Sequence, residues 1–345
     1  MVINDTKKIF ESARSRIEYP SHYQRGKSGE YIRLTKRGTG MFFTQNGNEY
    51  NLYKLPRDGH FEIRGNLDLS NMGLKELPDL SMVSISGDFV CSHNPLTSLQ
   101  GCPKSVGGDF VCEYTDIADL RGAPRFAGSV YVSHNRLTSL RGAPMAYHSQ
   151  NIFDCGYNHL ISLKFLPMVS DSGAYHWDYI NCNNNQIRSL KDLDMKFALS
   201  GVIDCANNRL TRLEFDSVLY TFLDKYERMP DSTGIAKNDI RIEDFSGNPC
   251  FEAYARWLLK HRGISVDPNA TDLETLRQIM IQENQNTASL NIVKSGIFLN
   301  AFELRDANRE MFDNNRTFGR GVSRLTNQAR YYVHEHKLIK KRTRV

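Results

Sequence analysis

The sequence predicts an α/β solenoid, a stack of tandem units whose short parallel strands line one face. Three observations predict it. A unit of twenty-odd residues recurs through the middle of the chain. Within each copy, apolar residues alternate with the period of two that a strand requires. Five of the seven cysteines, Cys91, Cys112, Cys155, Cys182 and Cys205, fall at one position of successive copies.

The strongest copies are GDFVCSHNPLTSLQGCP from Gly87, GDFVCEYTDIADLRGAP from Gly108 and GSVYVSHNRLTSLRGAP from Gly128. Weaker copies start at Asn66, Asn151, Tyr179 and Val202, and a terminal copy, EDFSGNPC, starts at Glu243. Aligned on the apolar residue after the Asn, the register runs Leu74, Leu96, Ile117, Leu137, Leu160, Ile187, Leu210 and Cys250. The steps are 22, 21, 20, 23, 27, 23 and 40 residues. The first four fit the window of roughly 20–29 residues typical of leucine-rich repeats. The long steps mark insertions, at Ser170–Trp177 and at Ser217–Gly234, where a short helix is expected.

Each position in the unit has a physical reason. Phe89 and Cys91 face the core and Val90 faces outward, and equivalent strands stack about 4.8 Å apart. Asn94 stands where the chain leaves the strand, and its amide can satisfy backbone groups freed by the turn. Asn135, Asn158, Asn185, Asn208 and Asn248 share that slot, while Met72 and Thr115 depart from it, so two rungs should be less regular. Leu96 and Leu99 turn back into the core, and Gly101 and Pro103 break the return side, which is expected to be irregular or 3₁₀. A thiol in the strand column is expected to act as a small buried hydrophobe.

No single unit can bury its apolar face, so the array needs caps. MFFTQNGNEYNLYKLP, with Asn-Gly between β-favouring residues, reads as an N-terminal hairpin. GNPCFEAYARWLLKHRG reads as a turn and an amphipathic helix with Phe251, Tyr254, Trp257 and Leu258 on its buried face. TDLETLRQIMIQENQ and SLNIVKSGIFLNAFELRDANREMF continue as helix. The expected organisation is a basic N-terminal region and cap over 1–64, a repeat array over 65–250, and a helical C-terminal cap with a basic tail over 251–345.

Charge is segregated along the chain. Residues 1–58 carry 11 Lys/Arg against 6 Asp/Glu, residues 59–250 carry 17 against 23, and residues 251–345 carry 16 against 10. Such asymmetry speaks to partners rather than fold. No apolar run approaches the roughly 18 residues of a membrane span, and the N-terminus lacks an apolar signal core, so a cytoplasmic protein with no membrane partner is expected.

The run GDFVCSHNPLTSLQGCPKSVGGDFVC resembles the leucine-rich-repeat proteins common in tailed-bacteriophage genomes, with their G-x-F-x-C-x-x-N-x-L-T-S-L-x-G-x-P units. The likeness is specific over about residues 84–145 and weaker to 213. It implies an interaction module encoded by a phage, in the cytoplasm of an infected host or in the virion, that binds a host or virion protein.

In such arrays the strands line a concave face that binds partners. Three columns of residues pointing away from the core can be named. One runs Asp68, Val90, Val111, Tyr131, Asp154, Asn181, Asp204. The next runs Ser70, Ser92, Glu113, Ser133, Gly156, Asn183, Ala206. The third runs Asn71, His93, Tyr114, His134, Tyr157, Asn184, Asn207. His93, Tyr114, His134 and Tyr157, with Val111 and Tyr131, form an aromatic patch beside Glu113 and Asp154. That patch is expected to bind a protein with basic character. The other reading is that the rings merely stack on one another across strands.

The chain has no P-loop, nucleophile elbow, HExxH or dinucleotide fingerprint, so no catalytic residue or cofactor is expected. His334 and His336 are weak as metal ligands, and no Cys follows Cys250 to serve a ligase domain. The best alternative is nucleic acid. Arg316–Val345 holds nine Lys/Arg and one acid. There Arg330, Lys337, Lys340, Lys341, Arg342 and Arg344 could neutralise phosphates while Tyr331 and Tyr332 stack on bases. The same tail could dock on the acidic array, within one chain or on a second copy.

Overall fold

The computed structural model describes residues 30–146, 151–167, 177–193, 202–213, 241–264, 274–276, 278–279, 282 and 299–312. Their centre is a parallel β-solenoid. One ladder joins Leu67–Asp68, Phe89–Val90, Phe110–Val111, Val130–Tyr131, Asn151–Asp154, Trp177–Asn181, Val202–Asp204 and Arg241–Asp244, all parallel. The register aligns Leu67, Phe89, Phe110, Val130, Phe153, Ile180, Ile203 and Ile242 in one column, and all eight are buried. The next inward column is Leu69, Cys91, Cys112, Val132, Cys155, Cys182, Cys205 and Phe245, also buried. All seven thiols are free and buried, as small core residues should be.

The return side differs from expectation. Glu62–Ile63, Ser84–Ile85 and Ser105–Val106 form a second parallel ladder, and Phe126–Ala127 pairs in parallel with Met145–Ala146. A bond from Arg125 N to Lys104 O links these two groups at 3.0 Å. Ile63, Ile85, Val106, Ala127 and Ala146 point inward, so this short stretch has strand chemistry of its own. Between the two ladders the chain turns a tight corner. A Cβ on Gly107 would lie 2.5 Å from the backbone oxygen of Ser86, so the corner favours glycine there.

The solenoid is one of parallel strands with few helices. Among the described residues, helix occurs as a 3₁₀ turn at Leu52–Lys54, helical residues 274–276, 278–279 and 282, and α1 (Phe251–His261) and α2 (Ala301–Phe312). A return segment such as 96–105 holds Gly101 at φ +92° and Pro103, which leaves too short and too broken a run for a helix.

Asparagine ties the units together. Asn185 Nδ2 donates to Cys182 O of its own unit at 3.1 Å and to Cys155 O of the preceding unit at 3.0 Å. Its Oδ1 accepts from Leu160 N at 2.9 Å. Asn158, Asn208 and Asn248 repeat this pattern. Thr115 cannot reach so far. Its N and Oγ1 both donate to Asn135 Oδ1, and Leu96 N turns to Asn94 O instead. Met72, at the first unit, is exposed, and its N donates to Asn94 Oδ1.

The N-terminal hairpin forms as read. β1 (Thr35–Arg37), β2 (Gly40–Gln45) and β3 (Asn48–Asn51) are antiparallel, and Asn46 and Gly47 take the positive φ values a tight turn needs. Met41, Phe43 and Leu52 join the same core as the solenoid. At the other end α1 buries Phe251, Tyr254, Trp257 and Leu258. Helix α2 packs on it through Tyr254–Asn308, Trp257–Glu310 and Arg262–Glu303 hydrogen bonds. The run read as helix from 289 to 312 is not all helix, since Leu299–Asn300 pairs antiparallel with Arg241–Ile242. Residues 168–176, the 217–234 insertion and the basic tail lie outside the described residues.

Candidate functional site

Each unit of the main ladder leaves its strand through one residue in the left-handed region. Asn71, His93, Tyr114, His134, Tyr157, Asn184, Asn207 and Gly247 all have φ between 52° and 69°. Asn and Gly tolerate this conformation, but for a bulky side chain it costs roughly 1–2 kcal/mol. Two tyrosines and two histidines hold it here. Their backbones are pinned from rung to rung: His93 N donates to Glu113 O at 2.9 Å, His134 N to Gly156 O at 3.1 Å and Tyr157 N to Asn183 O at 3.0 Å.

This common backbone aims four rings the same way. His93 and Tyr114 stack with centroids 4.6 Å apart, Tyr114 and His134 4.4 Å, and His134 and Tyr157 4.3 Å, all within 12° of parallel. Both readings of the sequence meet in this arrangement, because the rings are neighbours and they stack. Stacking covers ring faces and leaves edges outward, so Tyr114 and Tyr157 remain 43% and 44% exposed. Burial lowers the pKa of His93, which favours its neutral form.

Alongside lies the column Ser92, Glu113, Ser133, Gly156, Asn183. Ser133 Oγ donates to Glu113 Oε1 at 2.5 Å, and Ser92 Oγ accepts from Glu113 N at 3.0 Å. Burial raises the Glu113 carboxyl above its ordinary pKa against that bond to Ser133. Beyond it stand Tyr131, Asp154, Asn181 and Asp204. Burial, and then the Glu113 carboxylate, push Asp154 up to about 7, although Gly156 N donates to it at 3.0 Å and Asn181 also bonds it. Burial likewise pushes Asp204 up to about 6 against bonds from Ala206 N and from Asn183 Nδ2 at 2.8 Å.

The structure brings together His93, Tyr114, His134, Tyr157, Glu113, Tyr131, Asp154, Asn181 and Asp204 on adjacent rungs of one face. Val111 is the exception. It is 2% exposed, like Val90, so it lies beneath the face rather than on it. A short branched side chain beside the longer Tyr131 in register is covered by its neighbour. Arg330, Tyr331, Tyr332, Lys337, Lys340, Lys341, Arg342 and Arg344 lie outside the described residues.

Sequence reasoning missed the strained backbone under the rings and the raised carboxyls. The recurring Asn at the left-handed slot (Asn71, Asn184, Asn207) and Gly247 was the available signal for the first. It also missed Asp244, which extends the acidic column one rung further. Among the described residues no group of His, Cys, Asp and Glu is arranged to hold a metal ion, and no helix is long and apolar enough to cross a membrane. No protein-family model, curated protein or solved structure matches the chain.

Proposed function

We propose that the chain is a non-catalytic recognition protein of the phage leucine-rich-repeat kind, and that its ladder face binds a cationic segment of a host or virion protein. In this reading the ladder face is the concave surface of the array. One observation carries it. Eight rungs and three outward columns give 24 positions, which hold five carboxylates (Asp68, Glu113, Asp154, Asp204 and Asp244) and no Lys or Arg. Lysine and arginine are common residues, so their absence from these three columns, beside the exposed rings of Tyr114 and Tyr157, suits a cationic ligand. Arginine in particular combines a charge for the carboxylates with a plane that packs on aromatic rings.

The test is affinity capture by the immobilised chain from infected-cell lysate, with and without nuclease, at rising salt. A protein should be retained after nuclease treatment and released as salt screens the carboxylates. Tyr114→Ala with Tyr157→Ala, checked by circular dichroism to be folded, should lose at least tenfold in capture. Unchanged capture by that double variant would remove the face from the account. Retention that vanishes with nuclease would favour the nucleic-acid reading, which the nine Lys/Arg of Arg316–Val345 support.

A further inference from the structure

We propose that the flank of the array around Phe165 binds single-stranded nucleic acid, with a base stacked on that ring and phosphates meeting the cations of successive units. This surface is separate from the ladder face, and nothing in it depends on the recognition reading above.

The ring stands in a strained turn. After its second core leucine, each of four units makes the same tight turn. Cys102 N donates to Leu99 O, Ala123 N to Leu120 O and Ala143 N to Leu140 O, each at 3.0 Å, and Leu166 N donates to Leu163 O at 3.1 Å. The third residue of the turn has a positive φ in all four, a place that favours glycine. Gly101, Gly122 and Gly142 fill it in three units, and Phe165, at φ +73°, fills it in the fourth. Burial does not offset the cost of a bulky residue there, since Phe165 stays 50% exposed. The fold gains little from the ring, and strain held at the surface in this way marks a binding position.

Cations line the same turns. The residue after the second core leucine is Arg121, Arg141, Lys164 and Lys191 in four successive units, all exposed. Leu120 N donates to Arg141 O at 3.0 Å, and the strands of these units pair in order. The column therefore spans about 14 Å, three steps of roughly 4.8 Å. Asp119 holds Arg121 at 2.7 Å, whereas Arg141 and Lys164 stand over the Phe165 ring, 5.7 and 5.3 Å from its centre. Arg188 and Arg209 are exposed on the units that follow, with Arg188 N bonded to Ile161 O at 3.3 Å and Arg209 N to Ile187 O at 2.9 Å. An open ring within a cationic column supplies the two contacts that single strands use, base stacking and phosphate neutralisation. Duplex bases are already stacked on one another, so the ring favours the single strand.

The experiment follows the fluorescence anisotropy of a labelled oligothymidine of about 20 nucleotides titrated with the full chain. Phe165→Gly should weaken binding at least fivefold, the loss of one stacked base. Its urea midpoint should be no lower than wild type, because glycine relieves the turn. Phe165→Tyr keeps a ring and should keep the affinity. Arg141→Gln with Lys164→Gln removes two phosphate contacts, so the slope of log affinity against log salt should fall by about 1.4. Replacing Lys337, Lys340, Lys341, Arg342 and Arg344 by Gln should leave the effect of Phe165→Gly in place. Absence of binding at about 50 mM salt would overturn the proposal. So would unchanged affinity in Phe165→Gly with binding lost in the variant of the five C-terminal cations, since the nucleic acid would then belong to that segment. Equal or tighter binding of a duplex of the same length would show that charge alone acts, and would overturn it as well. Tyr114→Ala with Tyr157→Ala should leave the oligothymidine affinity unchanged, so failure on this flank leaves the ladder-face reading standing.

Discussion

Asp154 is the residue at which electrostatics and fold oppose each other most directly. Its carboxyl sits at about 7 because burial and Glu113 disfavour the charge. A folded-state pKa above the unfolded value means that the folded chain holds the extra proton, so its stabilising effect is complete below about pH 4 and is lost as pH rises through about 7. Asp154→Asn should therefore raise the denaturation midpoint above wild type at pH 8 and change it little at pH 4. A variant less stable than wild type at pH 8 would contradict the assigned environment. Asn185 makes the opposite contribution. Its amide satisfies Leu160 N, Cys155 O and Cys182 O at once, all inside the stack. Asn185→Ala strands several of these groups and should cost about 2–4 kcal/mol in urea unfolding, against a few tenths for a typical surface change. The sequence showed that asparagine recurs there, but not that each amide bridges two units, because the bridging carbonyl lies 30 residues away.

The left-handed rung sets the geometry of the site at the scale of one element. Tyr114 bears a conformational cost of about 1 kcal/mol that glycine would not, and stacking on His93 and His134 offsets it at roughly 0.5–1.5 kcal/mol per pair. Tyr114→Ala keeps the backbone cost and loses the stacking, whereas Tyr114→Gly loses both. Alanine should accordingly be the more damaging substitution, by about 1 kcal/mol in equilibrium unfolding; equal effects would mean that the rung is not strained. The return turns behave more simply. At Gly122, with φ +91°, a Cβ would meet Leu99 backbone at 2.8 Å, whereas at Gly38, with φ +57°, it would meet nothing. Gly122→Ala should cost more than about 2 kcal/mol and Gly38→Ala about 1. The strand column, the hairpin and the face of α1 were legible, since alternation, Asn-Gly and helical spacing are local signals. The second ladder was not, because Ser84–Ile85 and Ser105–Val106 are two-residue strands too short to show a period.

For the whole molecule, the consequence of stacking is that every functional position depends on register. Each unit contacts only its neighbours, so a slip by one residue would turn the inward Phe and Cys columns outward. The outward columns were readable because eight copies fix one phase. Val111 misled because alternation tells direction but not depth, and it stands beside a larger neighbour. Charge segregation along the chain was equally visible. The most direct measurement is the proton NMR spectrum of the histidine rings. His134 lies between Tyr114 and Tyr157 at 4.4 and 4.3 Å, so ring currents should carry its ring protons well upfield of a free histidine. Tyr114→Leu and Tyr157→Leu should each return part of that shift. A His134 ring at its free position, unmoved by either substitution, would mean that the rungs are not in this register and that the face does not exist.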